Sequence, residues 1–327
     1  MKRFLSIPTG PSWRSRLRSR RGIALVELLV GAAVGVVVLG GVYLLTYAGL
    51  LVALKSFSIN STSASARNAI DRMHLILQVA YDPPTPIDTS GRELTNGATV
   101  SPGIRFYRYI GAPYVVKVPQ NGLSGRVTSI DIVYDKRAQV VPPIPQSNDA
   151  LVINTTILMT GEANQVRAYV SSAKIIANPV GENPNRVTCR VTLQQQLTAT
   201  DAVLPNDGTT LTATLIRPTA LLVRPNGSRR ELVMLEAFPR GATINMNAAT
   251  AHVLSGEIEP EEGAPGRLSS ATPFEMLTID ARSFVRMDLQ VRDRRYHRYL
   301  ESRQTSDFAS YVNLETRTAF KCDPNQL

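Results

Sequence analysis

The chain has 327 residues and a formal charge of +10, enough length for a sizeable core and a sign that first suggests nucleic acid or an acidic surface. Seven basic side chains (Lys2, Arg3, Arg14, Arg16, Arg18, Arg20, Arg21) lie within residues 1–22 with no acidic one among them, so residues 23–327 keep only +3 of that total. This distribution disfavours nucleic acid as a partner, because a binder carries its basic surface on the folded part.

In chain order, the basic leader 1–22 comes first, and it places the N-terminus on the cytoplasmic side of a membrane. Residues 23–54 follow: 32 residues in which Glu27 is the only carboxylate and no cation occurs. As a helix they reach roughly 48 Å at ~1.5 Å per residue, more than the ~30 Å of a bilayer's hydrocarbon. An ordinary secretory signal has an apolar core of about 7–15 residues and a nearby A-x-A site. Here the run is too long, and Ala64-Ser65-Ala66 lies too far past Leu54. A plain signal anchor does not account for Glu27, since a carboxylate deep in a bilayer costs on the order of 2.5–3.5 kcal/mol. A cut between Gly22 and Ile23 would give Glu27 a reason. It would free an α-amino group at Ile23, one helical turn from the carboxylate, and pairing the two charges would align neighbouring chains.

Residues 22–30, G-I-A-L-V-E-L-L-V, resemble the class III leader junction of type IV pilins and type II secretion pseudopilins. Gly22 matches the residue before the cut. Ile23 matches the new N-terminus, which the prepilin peptidase of that family also N-methylates, and Glu27 matches the assembly glutamate at mature position five. Ile23 and Ala24 stand where phenylalanine and threonine are usual. The resemblance covers about 60 N-terminal residues. It implies a bacterial inner-membrane protein with its C-terminal domain in the periplasm, whose partners are the prepilin peptidase and other pilin or pseudopilin subunits. It also makes Gly40-Gly41 a candidate for local melting in an assembled filament.

Residues 55–82 read as an amphipathic extension of the helix. Ala66, Ala69, Ile70, Met73, Leu77 and Ala80 recur mostly at spacings of three and four, and Asp82-Pro83-Pro84 ends the pattern. The stripe requires a globular domain packed against it.

Residues 83–327 read as strands at 102–109, 113–118, 126–134, 150–159, 165–178, 185–197, 210–217, 219–224, 230–238, 274–280, 284–294 and 309–320, many alternating with period two. Pro142-Pro143, Pro145, Asn206-Asp207-Gly208 and Pro225-Asn226-Gly227 mark turns. Residues 255–273 read as a mobile surface loop, and 200–208 as a candidate sub-boundary. The expected fold is α+β: a long N-terminal helix, its apolar half in the membrane, packed on a mostly antiparallel β domain of one or two sheets.

Cys189 alternates onto the apolar face of its strand, which suits a disulfide and a buried thiol equally, and Cys322 is the other cysteine. Pilin-like domains often tie the C-terminal region back to the sheet. A Cys189–Cys322 bridge would do the same, and over a loop of roughly 130 residues it would contribute about 4–5 kcal/mol.

Little in the sequence points to catalysis. His74, His252 and His297 lack metal spacing, and no phosphate loop, nucleophile elbow or CxxC pair occurs. Glu257, Glu259, Glu261 and Glu262 are the one candidate set for calcium, which some pseudopilins bind. They lack the alternating ligands of an EF-hand and read as a hydrated acidic loop. Residues 292–299, RDRRYHRY, mix arginine and tyrosine as single-strand binders do, and as ordinary sheet surfaces do.

Two functions are therefore expected, in order. The first is a large minor pilin or pseudopilin, of the PilW or J type, without enzymatic activity or cofactor. The second is an uncleaved single-pass anchored binding protein with an extracytoplasmic β domain.

Overall fold

The apolar run and the stripe after it form one helix, α1, Trp13–Gln78. A computed structural model of the chain describes residues 13–94, 97–117, 127–156, 163–176, 183–197, 211–226, 229–239, 243–244, 250–258, 268–269, 271–279, 282–292 and 311–319. Two compact units divide it, Met1–Ser58 and Ile59–Leu327.

The first unit is the apolar part of α1. It continues without a break through Gly40 and Gly41, and Tyr43 and Tyr47 stack one turn apart at 6.2 Å between centroids.

In the second unit, the rest of α1 buries the expected stripe. Ala66, Ala69, Met73 and Leu77 are buried, and Ile70 is half-buried. The helix stops at Gln78 rather than near 82. Residues 79–81 turn to strand pairing instead: the Tyr81 N–H donates to Tyr107 O at 2.6 Å and the Tyr109 N–H to Val79 O at 2.9 Å. Pro83 and Pro84 then forbid a return to helix.

Among the described residues thirteen strands follow: β1 Thr85–Ile87, β2 Val100–Ser101, β3 Gly103–Lys117, β4 Val127–Asp135, β5 Ala150–Thr156, β6 Ala163–Ile176, β7 Arg186–Leu197, β8 Leu211–Asn226, β9 Arg229–Glu236, β10 Thr250–Ile258, β11 Phe274–Ile279, β12 Arg282–Arg292 and β13 Tyr311–Ala319. All their pairings are antiparallel. The strands make two lobes that share β3 and β8.

One lobe is a closed barrel. Its order β3-β4-β7-β6-β5-β8 is completed by β8 pairing back onto β3. An even number of strands lets the ring close without a parallel seam, and closure removes the sheet edges. Every strand of the ring sends alternate residues inward. Tyr114 and Val116 come from β3, Ile130 and Ile132 from β4, Leu151 and Ile153 from β5, Ala168 and Val170 from β6, Cys189 and Val191 from β7, and Ala213 and Leu215 from β8. The interior is a filled core, as expected for so few strands. The strands on either side of 198–210, β7 and β8, both belong to this ring.

The other lobe uses the N-terminal half of β3 and the C-terminal half of β8, continued by β9, β10, β12 and β11, with β13 on the far side of β12. One face packs on the helix: Met73, Ile76, Leu77 and Ala80 meet Phe106, Leu221, Val223, Leu232, Phe274, Val285 and Met287. Ala220, Leu222, Val233, Leu235 and Phe238 form a separate core on the opposite face. Burial on both faces explains why 219–223, T-A-L-L-V, shows no alternation.

Two expected strand breaks are absent. Pro218 does not divide 210–217 from 219–224, because β8 changes neighbours there. Its outer edge pairs β5 up to Ile216 and β9 from Thr219, so the missing N–H falls in the gap. Gly111 and Pro113 likewise sit in a bulge inside β3, between Ile110 and Tyr114. Gly111 has φ +71°, and a Cβ there would lie 2.7 Å from Pro143 Cδ. Gly111→Ala is expected to lower stability by more than ~1 kcal/mol. The loop reading of 255–273 also needs correction, because 250–258 is β10.

Leu77→Ala is expected to cost about 2–5 kcal/mol, since Leu77 is fully buried in the helix–sheet core. Leu75, two residues back, is 63% exposed, and its alanine variant should fall within about 0.5 kcal/mol of the parent. Urea titration of the full chain in detergent micelles measures both.

Candidate functional site

The residues singled out by the sequence gather at the start of α1. Gly22 and Ile23 lie within the span of the helix, and the described side chains begin at Leu25. From Leu25 to Val34 every side chain is exposed, including Glu27. The most apolar 18-residue window of the helix has a mean hydropathy of 2.5, and none of it is buried within the chain. The helix is therefore long and apolar enough to cross a membrane. Leu28, Val36, Val37, Leu39, Leu45 and Val52 are each more than two-thirds exposed. A surface of this kind is stable only against lipid or other protein.

Glycine breaks up the apolar surface. A Cβ at Gly31, Gly35, Gly40, Gly41 or Gly49 would meet nothing within 4 Å. These positions are open for the backbone of another helix to approach, as small residues permit in membranes. Within the helix they weaken propensity. Thr46 satisfies its hydroxyl within the helix, where Oγ1 donates to Val42 O at 2.8 Å.

The other candidates lie apart from this surface. Cys189 lies in the barrel core and has no disulfide partner among the described residues. Burial, and then Asp131, push its thiol pKa up. Cys322 lies outside the described residues, as do His297, Glu259, Glu261, Glu262 and most of 292–299. Glu257 falls in β10 without side-chain detail. Among the described residues no group of three or more His, Cys, Asp and Glu side chains could hold a metal. His74 lies 2.6 Å from Gln78 Nε2 on the same helix, and His252 is on the exposed face of β10.

Sequence reasoning did not single out the charged and aromatic clusters that join the lobes. The Arg167 guanidinium lies 4.7 Å over Tyr81 and 5.3 Å from the Tyr107 centroid, and donates to Asp82 at 2.6 Å. Burial opposes its charge, yet the hydrogen bond and attraction of Asp82 prevail and raise its pKa. Tyr81 also donates to Gln165 at 3.2 Å and meets Tyr109 edge to face. This cluster fastens the end of α1 to the barrel. Its polar atoms satisfy one another, so it offers no free acid, base or nucleophile. Its members come from the α1 end, β3 and β6, and no local sequence pattern links them.

A second cluster lies where β3 and β8 cross from one lobe to the other. Arg217 donates to both Asp149 oxygens, at 2.8 and 2.9 Å, and Arg108 pairs with Glu236. Arg108 and Arg217 are direct cross-strand partners. Burial, and then the Arg217 charge, lower the Arg108 pKa, while Asp149 raises that of Arg217. Compensation of this kind is structural.

Comparison with known protein families, characterised proteins and solved structures finds no match to this chain.

Proposed function

We propose that the chain is a structural subunit, a large minor pilin or pseudopilin, of a type IV filament or a type II secretion pseudopilus. It is cut by a prepilin peptidase between Gly22 and Ile23, methylated at the new N-terminus, and assembled through the first half of α1. Before assembly it spans the bacterial inner membrane once, with its β lobes in the periplasm. The observation that carries this reading is the apolar surface at 25–54, none of it buried on the single chain, holding one carboxylate a turn beyond the Gly22–Ile23 junction.

Three physical points support it. The surface is longer than a bilayer requires, so part of it is free for protein contact. Its glycines leave room for close helix approach. Glu27 gives an otherwise uniform surface one group that selects a register, because a carboxylate in an apolar setting needs a cation at a fixed place. In the globular unit the Arg108–Glu236, Arg167–Asp82 and Arg217–Asp149 clusters are internally paired.

The test is mass spectrometry of the mature N-terminus, from cells that contain a prepilin peptidase. A chain that begins at N-methylated Ile23 supports the proposal. A chain that retains Met1 overturns it in favour of an anchored binding protein.

A further inference from the structure

A cleft of about 670 Å³ opens between the C-terminal part of α1 and β10, wholly within the second unit. Arg72, Leu75 and Ile76 line its helix side, and Ala251, His252, Val253 and Leu254 its strand side. Arg108, Met234 and Glu236 complete the lining. Three features set it apart from an ordinary surface groove.

The first is its strand side. β10 pairs with β9 along one edge from Thr250 to Ile258. On the other edge the only pairing among the described residues is Ile258 with Val291. Among the described residues the outward N–H and C=O groups of 250–257 are thus unpaired, an open template on the strand that borders the cleft. The second is apolar exposure on both faces of the strand edge: Leu75 on the helix side is 63% exposed, and Val253 on the opposite face of β10 is 52% exposed. The third is charge. Two guanidiniums, Arg72 and Arg108, line the cleft with one carboxylate, Glu236, which Arg108 already engages, and the His252 imidazole adds a hydrogen-bonding group. The Nε of Arg108 is buried without a hydrogen-bond partner.

We infer that this cleft binds an extended, acidic segment of a partner protein, which adds as a strand to the open edge of β10. Backbone pairing supplies sequence-tolerant affinity, as in strand addition generally. Alternate side chains of such a segment point to opposite faces, so its carboxylates turn to the α1 side, where Arg72 and His252 lie, while its apolar set turns to the other face beside Val253. A basic segment is repelled by Arg72. The inference does not depend on whether the chain enters a filament.

The probe is a fluorescein-labelled octapeptide alternating valine and glutamate, titrated against the full chain in zwitterionic detergent micelles and read by anisotropy. Its counterpart with lysine for glutamate should bind at least tenfold more weakly, and so should a version N-methylated at alternate residues. Arg72→Glu and His252→Glu, both at exposed positions, should each weaken the acidic peptide at least tenfold and leave the unfolding midpoint unchanged. The inference is overturned if the lysine peptide binds equally, if N-methylation has no effect, or if neither variant weakens binding. Hydrogen exchange gives an independent check. Outward amides of 250–256 should exchange freely in the chain alone and become protected when the peptide is added. Protection already present without peptide would mean that the chain covers its own edge, and would also overturn the inference.

Discussion

Glu27→Ala chains are expected to be cut between Gly22 and Ile23 like the parent, and then to be at least tenfold depleted from sheared filaments. The two steps separate because they use different groups. Cleavage acts on the peptide bond after Gly22, a full helical turn before the Glu27 side chain. Assembly, on the proposed reading, brings a new α-amino group and the Glu27 carboxylate together in an apolar setting. Two unit charges about 4 Å apart attract by roughly 4 kcal/mol at an effective dielectric of about 20. Without the acid, the buried ammonium keeps its desolvation penalty and loses its partner. Glu27→Gln tests the charge itself: it keeps the shape and should assemble as poorly as the alanine variant. Glu27→Asp keeps the charge on a shorter stem and should assemble partially. Immunoblots of membrane and filament fractions, with N-terminal mass spectrometry of the membrane form, measure both steps. Normal incorporation of the alanine variant would remove the pairing from the account.

The sequence made the elements legible where one periodicity dominates. The stripe of Ala66, Ala69, Met73 and Leu77 is buried as its spacing requires, and Cys189 points inward as its alternation with Arg186, Thr188 and Arg190 requires. Each failure has its own physical cause. Pro218 and the Gly111–Pro113 bend read as strand ends, because a one-dimensional pattern does not show that a strand changes neighbours along its length. β10 was hidden because 250–258, T-A-H-V-L-S-G-E-I, keeps most of its N-terminal part exposed, so no clean apolar alternation marks it. Closure of the barrel was not legible at all. It depends on the pairing of β3 with β8, whose sequence separation of about a hundred residues leaves no local trace. The membrane-length helix with Glu27 was legible because its signal is local composition. The cleft beside β10 was not, because Arg72 and Arg108 meet His252 only through the packing of α1 on the sheet.

The crossing point between the lobes carries the largest stability effect expected in the β region. Asp149 is fully buried, and it accepts both Arg217 hydrogen bonds as well as the Gln146 N–H at 2.8 Å. Arg217 in turn stands directly opposite Arg108 across β3 and β8. Like charges opposite each other in a sheet repel, and burial amplifies the repulsion. Asp149 and Glu236 make the pairing tolerable by each neutralising one arginine. Asp149→Ala therefore does more than remove two hydrogen bonds: it leaves Arg217, 12% exposed, as an uncompensated cation beside Arg108. The expected loss is about 3–5 kcal/mol, the range for breaking one side of a buried pair. Combining it with Arg217→Leu removes the orphaned charge as well as the repulsion, so the double variant should recover most of that loss. The cycle of single and double variants, read from urea midpoints of the full chain in micelles, should thus give a coupling above about 1 kcal/mol. Equal, additive losses would mean that Arg217 and Asp149 act independently, and that β3 and β8 tolerate their facing arginines for some other reason.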